Sequence, residues 1–355
     1  MCKFAPDIYP LSTIYYSPMI KRLAPILFLL PLLFSCHSKN PDVSGIKVNA
    51  RIERFDQAFF SLDTNHIRDG LLQLSQEFPY FLNDFTVNIL GAGPLSDTSV
   101  NSFMICRTFL SSYQPVKDSI LMKFRNMQGI ENGLKKGFQY IRYYFPSYKL
   151  PPKVVAFIGP FDAPGVALTR YTLAIGLQLY AGRNFSFYHS SEGQELFPLY
   201  ISRRFEPEYV VPNSMKALSE DIFPDESKGK PLIDQMIEKG KYWWLLDKIL
   251  PETADSLKTG YTQKQLDWCK KNEGQIWNFF LQNDIYTIDP ELIKNYIGDA
   301  PYTQGMPEAS PGNIGQWVGW QIVRQYAALN PDLGPEALMK VAARKIFEEV
   351  KYKPR

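Results

Sequence analysis

Polar and apolar positions change their spacing several times along this chain, and the changes mark out its elements. Leu23 to Phe34 has no period: the run is apolar, broken only by prolines, and follows the basic pair Lys21-Arg22. Ile46-Lys47-Val48-Asn49-Ala50-Arg51-Ile52 alternates, which predicts a half-buried strand. Phe55, Ala58, Phe59 and Leu62 then recur at helical spacing, and residues 64–146 read as almost wholly helical. Ile67, Leu71, Leu72 and Leu74 form one stripe, and a second element runs from Phe78 to Leu90, ending at Gly91-Ala92-Gly93-Pro94. Ser96 and Asp97 are suited to cap the helix carrying Phe103 to Leu110. Leu121, Phe124 and Met127 mark another helix. A further one covers about 130–144, with Phe138, Ile141 and Tyr144 inward.

The spacing changes again at Lys153 to Gly159, an apolar run between Pro152 and Pro160 that predicts a buried strand. Val166–Thr169 and Thr172–Leu177 are two more strands, reached through the turn residues Asp162-Ala163-Pro164-Gly165. Beyond Glu206 the helical spacing returns. Helices are expected from Pro207 to about Phe223, from Pro231 to Leu250, after Thr262 as cap, from Gly312 to Tyr326, and from Pro335. The expected fold is therefore α+β and mostly helical, with a small central sheet over about 153–178.

The apolar run near the start changes the picture of where the protein works. Leu33-Phe34-Ser35-Cys36 has the form of a lipobox: a basic start at Met19-Ile20-Lys21-Arg22, a short apolar stretch, and a small residue before the cut. A segment this short falls below the ~20 apolar residues a mature spanning helix needs. Residues 19–35 are expected to be a lipoprotein signal peptide, with lipid attached to Cys36. An uncleaved anchor helix, or a cleaved leader with an unmodified Cys36, are the alternatives. Residues 1–18 match no targeting pattern and read as an upstream mis-start. Residues 36–45 form a polar tether, and 46–355 a single globular domain.

Composition narrows the class. Of 355 residues, 45% are hydrophobic, 14% aromatic and 21% charged, which fits a folded domain with a large core. The formal net charge of +3 and the lack of a long Lys/Arg run give no footprint for nucleic acid. Of the 4 cysteines, Cys106 and Cys269 remain beyond the leader region. With no Cys-x-x-Cys spacing they read as isolated buried thiols, a single disulfide being the alternative.

The familiar catalytic patterns are missing. The 3 histidines, His37, His66 and His189, share no helix face, so no His-Glu-x-x-His zinc motif exists. Gly-x-Ser-x-Gly, the P-loop and Gly-x-Gly-x-x-Gly are absent too. No metal, cofactor or catalytic residue is expected. Three dense segments remain as a candidate cleft or partner contact. Arg203 and Arg204 stand beside Glu206, Glu208 and two tyrosines, which also suits a structural ion-pair network. Glu238 shares a helix with Trp243 and Trp244, whose side chains point about 100° apart. Trp317 and Trp320 share a face of a glycine-studded helix start, as core packing or as a groove.

These segments, together with the lipobox at Cys36, Ala167-Leu168-Thr169-Arg170-Tyr171 and Pro231 to Lys241, resemble the gliding motility lipoprotein family GldB of Bacteroidetes. The resemblance covers nearly all of the chain after the leader. It implies a lipid-anchored cell-envelope protein that works with other motility proteins in surface gliding. Relatives also occur in bacteria that do not glide. A more distant similarity is to zincin-like metallopeptidase domains, with Ile237-Glu238-Lys239-Gly240 echoing their second helix. The helix expected from Pro207 has no histidine where the zinc ligands would stand. The leading expectation is a non-catalytic envelope protein acting through protein contacts. A divergent hydrolase using Glu238 with Arg203, Arg204 or His189 is one alternative. A peptide- or glycan-binding module using Trp243, Trp317 and Trp320 is another.

Overall fold

The computed structural model describes residues 40–95 and 100–354. The leader, Cys36, and the expected caps Ser96 and Asp97 lie outside the described residues. The described segments fall within a single contact unit beginning at Asn40.

The architecture is α+β, with helices on a small mixed sheet. Strands β1 (Ile52–Arg54), β2 (Lys153–Phe157), β3 (Val166–Leu168) and β4 (Thr172–Gly176) lie in the order β1-β2-β4-β3. β1 and β4 run parallel to β2, in the registers Ile52↔Val154 and Val154↔Leu173. β3 is antiparallel to β4 at the edge, with Ala167 opposite Ala174. Every residue of β4, and all of β2 after Lys153, is buried. That is why both read as continuous apolar runs rather than as alternating ones.

The expected strand over 46–52 is shorter and later than its pattern suggested. Burial does alternate there, but only Ile52 joins the sheet. The preceding backbone turns to side chains instead: Ile46 O accepts from Gln139 Nε2 at 2.9 Å, and Ile52 N–H donates to Glu131 Oε1 at 2.8 Å. Both partners lie on helix α1 (Gln128–Tyr144), which buries Phe138 and Ile141 as expected.

Among the later helices are α2 (Val210–Ile222), α3 (Leu232–Ile249), α4 (Asp255–Thr259) and α5 (Ile314–Leu329). Thr262 forms a capping box with Gln265. The helix it opens stops at Lys271, and a separate one spans Glu273–Gln282. Asn272 marks the break, its Nδ2 donating to Trp268 O at 2.7 Å. Pro290–Ile297 is a helix the periodicity did not show, although Asp289-Pro290 carries its signal: Asp289 accepts from the N–H groups of Glu291 and Leu292. A last helix, α6 (Ala343–Val350), packs on α3 and α5. Among the described residues no helix is long and apolar enough to cross a membrane.

Among the described residues α3 and α5 pack together more extensively than any other pair of elements, and they meet backbone against backbone. A Cβ on Gly240 would sit 2.2 Å from Gly319 C, and one on Gly319 would sit 1.8 Å from Met236 O. Only glycine fits at both positions. The glycine-studded start of α5 is therefore a packing device. The crossing also fixes where the N-terminus of α5 points.

Candidate functional site

A cavity of about 230 Å³ opens beside that N-terminus. Arg204 and Tyr209 enter from the turn before α2, Asn213 and Lys216 from α2, Trp243 from α3, and Asn313 from the cap of α5. A smaller pocket of about 40 Å³ shares Arg204, Gly260 and Asn313 and adds Arg203.

Local structure holds these groups in place. Gly260 ends α4 in the left-handed region, at φ 74°. A side chain there would meet Arg204 Cδ at 2.9 Å, so the arginine lies across bare backbone. Gly260 O accepts from Arg203 Nη2 at 2.8 Å. The loop before α5 is pinned by Thr303 Oγ1, which donates to Pro311 O at 2.6 Å, and by Gly312, whose missing Cβ leaves room for Ala300 O. Asn313 follows with φ 46° and ψ 31°, a left-handed backbone that Asn tolerates better than most residues.

Asn313 is 7% exposed. Its Nδ2 donates to Asp299 Oδ1 at 3.2 Å, while its Oδ1 is buried with no partner. One turn along α5 the indole N–H of Trp317 is also buried and unpartnered. A buried polar atom left unpaired costs on the order of 1–3 kcal/mol, so such atoms are uncommon in a relaxed core.

The carboxylates near the cavity are engaged. Asp299 pairs with Arg204 at 3.2 Å. Lys258 holds Asp247 at 2.6 Å and Asp255 at 2.8 Å, and Arg324 reaches Asp247 at 2.8 Å. Among the described residues, no carboxylate lies within ion-pair distance of Arg203 or Lys216. Desolvation lowers the pKa of Arg203, and neighbouring Arg204 lowers it further. Desolvation raises that of Tyr209 against the pull of both arginines, so its hydroxyl remains a donor at neutral pH. The site can hold an anionic group.

The structure separates the residues that the sequence grouped. Arg203, Arg204 and Trp243 line the two connected pockets. Glu208 is exposed and faces a different groove, between α1 and α2. Glu238 lies elsewhere on α3, accepting from the buried Lys241 at 2.9 Å. Lys241 also donates to Val341 O at 2.5 Å, tying α3 to the segment before α6. Trp317 and Trp320 are core residues, each 1% exposed. Trp320 donates to Asp247 Oδ2 at 2.9 Å beneath the Arg324 guanidinium, so neither tryptophan offers a face to a glycan. His189 is exposed and bonded to Arg183 O at 2.8 Å, without contact to Glu238 or Arg203. Cys106 and Cys269 are free and buried; burial lifts the Cys106 thiol to about 11 and Cys269 higher still. Sequence reasoning missed Asn213, Lys216 and Asn313 as cavity residues. Only Asn313 carried a signal, as the polar residue between Gly312 and an apolar helix.

The family model described as "Gliding motility protein GldB" matches residues 36–354. No curated protein matches the chain. No solved structure matches it either.

Proposed function

The chain belongs to the gliding motility protein GldB family, and from that premise we propose that it is a lipid-anchored protein of the cell envelope, acting through contacts with other envelope or motility proteins rather than by catalysis. The observation that carries this reading is the cavity at the start of α5. It presents guanidinium, ammonium and amide groups suited to holding a charged group, while the neighbouring carboxylates are tied up in ion pairs. Glu238, the acid a hydrolase reading would need, serves Lys241 instead. The anchor would be a diacylglyceryl group on Cys36, where the lipobox ends and where the family match begins.

Two experiments test the reading. Cys36→Ala should move the protein from the membrane fraction to the soluble fraction; retention in the membrane would remove the lipid anchor from the account. A photoreactive residue at position 216, beside the cavity, should give a defined protein adduct in intact cells. The same residue at position 348, on the exposed side of α6, should give none. Equal adducts from both positions, or none from either, would contradict a contact role for this face.

A further inference from the structure

We propose that the face between the β3–β4 turn and residues 79–88 binds a neutral saccharide chain, stacking its sugar rings on Tyr80 and Tyr171. This site is separate from the cavity at the start of α5 and goes beyond the contact role. Arg170 and Tyr171 belong to a segment which that role leaves unused.

A depression of about 500 Å³ lies on this face, within the roughly 300–1,000 Å³ typical of small-ligand sites. Tyr80 and Tyr171 stand in its wall, 51% and 39% exposed, with ring centroids 5.0 Å apart and planes inclined at 47°. Single exposed apolar side chains are ordinary on a protein surface, whereas two rings meeting in one depression form a platform. Asn83, Asp84, Asn88 and Arg170 surround them. Among the described residues none of these four side chains makes a hydrogen bond or an ion pair. Arg170 lies over the Tyr171 ring at 5.2 Å and does not pair with Asp84, although both border the depression.

Local structure holds both sides of the platform. The chain widens into a π-helical turn at Phe85–Ile89, closed by Leu90 N–H donating to Phe85 O at 2.9 Å, and this turn carries Asn88. Such turns are rare and recur at functional sites. Phe85 beneath it is buried against Phe81 and Phe157. On the other side Thr169 N–H donates to Thr172 O at 2.9 Å. Thr169 Oγ1 accepts from Tyr171 N–H at 3.4 Å, which sets the tip presenting Arg170 and Tyr171.

The chemistry selects the occupant. A pyranose ring offers a flat face of C–H groups and a rim of hydroxyls, each both donor and acceptor. The tyrosines match the face; two amides, a carboxylate and a guanidinium match the rim. The inclination of the rings suits consecutive sugar units, whose planes turn along a chain. One anion offsets one cation, so the face lacks the cationic excess on which nucleic-acid binding rests. A protein interface buries about 800 Å² per side around a packed apolar centre. Here no exposed leucine, isoleucine, valine or methionine borders the rings.

The test is calorimetric titration of the purified full-length protein, free of sugar-headed detergent, with cellotetraose, tetra-N-acetylchitotetraose, tetragalacturonate and a thymidine tetranucleotide. At least one neutral tetrasaccharide should bind saturably, and the two anionic probes about tenfold more weakly or worse. Tyr80→Ala and Tyr171→Ala should each weaken that binding about tenfold, while Tyr80→Phe, which keeps the ring, should stay within about threefold. Both tyrosines are exposed, so these variants leave the core intact. Tyr143→Ala, an equally exposed tyrosine outside the depression, should bind as the unaltered protein does. No saturable heat from either neutral tetrasaccharide with folded protein would overturn the proposal. So would binding that survives both alanine substitutions, or an anionic probe that binds as tightly as the neutral chains. Failure here leaves the contact role standing, since the adduct at position 216 tests that separately.

Discussion

The two halves of helix α5 obey different rules. In the second half, from Gly319 onward, every close approach is matched. Gly319 meets Gly240 with no side chain between them, Trp320 donates to Asp247, and Arg324 covers the indole at 3.4 Å while pairing with the same carboxylate. In the first half, Asn313 sits in a left-handed conformation and both Asn313 Oδ1 and Trp317 Nε1 are buried without partners. Packing alone explains the second half. The first half departs from what packing favours, and the departure falls beside a cavity with uncompensated cations. A fold optimised throughout leaves few such atoms, so the contrast within one helix separates scaffold from site.

The largest effect should come from the scaffold end. Gly319→Ala places a Cβ 1.8 Å from Met236 O, which only a shift of both helices can relieve. We expect a loss of at least ~3 kcal/mol, or failure to fold, read by denaturant unfolding. A loss under ~1 kcal/mol would mean that the crossing is looser than described.

Next in size is the buried ammonium of Lys241, which is 2% exposed. Desolvation lowers its pKa against the opposing pull of Glu238. Glu238→Gln should destabilise the protein by about 1–3 kcal/mol by leaving that charge without its carboxylate. Adding Lys241→Met should recover part of the loss. If the single substitution left stability untouched but changed a chemical activity, the structural assignment of Glu238 would be wrong.

A smaller effect depends on pH. Asp255 is pushed up by desolvation, but its hydrogen bond to Lys258 and the charges of Lys258 and Arg324 outweigh this, and its net pKa lies below 3.8. The folded form therefore binds its proton more weakly than the unfolded chain. The resulting stability is fully present above about pH 4 and is lost as pH falls through the folded value. Asp255→Asn should flatten the acid limb of a stability-versus-pH curve and lower stability modestly at neutral pH. An unchanged acid limb would remove Asp255 from the scaffold's electrostatics.

The smallest stability change should come from the site end. Asn313→Gly relieves a left-handed backbone and deletes an unpartnered acceptor while losing one bond to Asp299. These effects oppose one another and should leave stability within ~1 kcal/mol. A scaffold residue buried this deeply would lose more, so a large destabilisation would erase the distinction between the two halves.

How much of this was legible in the sequence follows from the same contrast. β2, β4 and the helices opened by Pro231 and Gly312 were readable because burial on both faces, or on one stripe, writes itself into apolar spacing; the half-buried β3 was readable as a short apolar run beside a turn. The strand over 46–52 was misplaced because half-burial alternates whether the neighbour is a strand or a side chain of α1. The cavity was less readable. Arg203, Arg204 and Trp243 stood out by local density and do line it, but Asn213 and Lys216 are ordinary polar residues on an amphipathic helix. They line the same cavity as Asn313 through tertiary packing, which local spacing does not record. Density also misdirected: Glu238 pairs with Lys241, Trp320 donates to Asp247, and Trp317 is closed off from solvent, although all three cluster with the others in sequence.

The most direct test of that separation is the side-chain amide signal of Asn313. It can be followed by NMR in asparagine-labelled protein and assigned by its disappearance in Asn313→Gly. Hydrogen exchange of this amide should be faster than that of the Trp320 indole N–H, which the Asp247 carboxylate holds. Equal protection of the two groups would place the start of α5 in the scaffold after all.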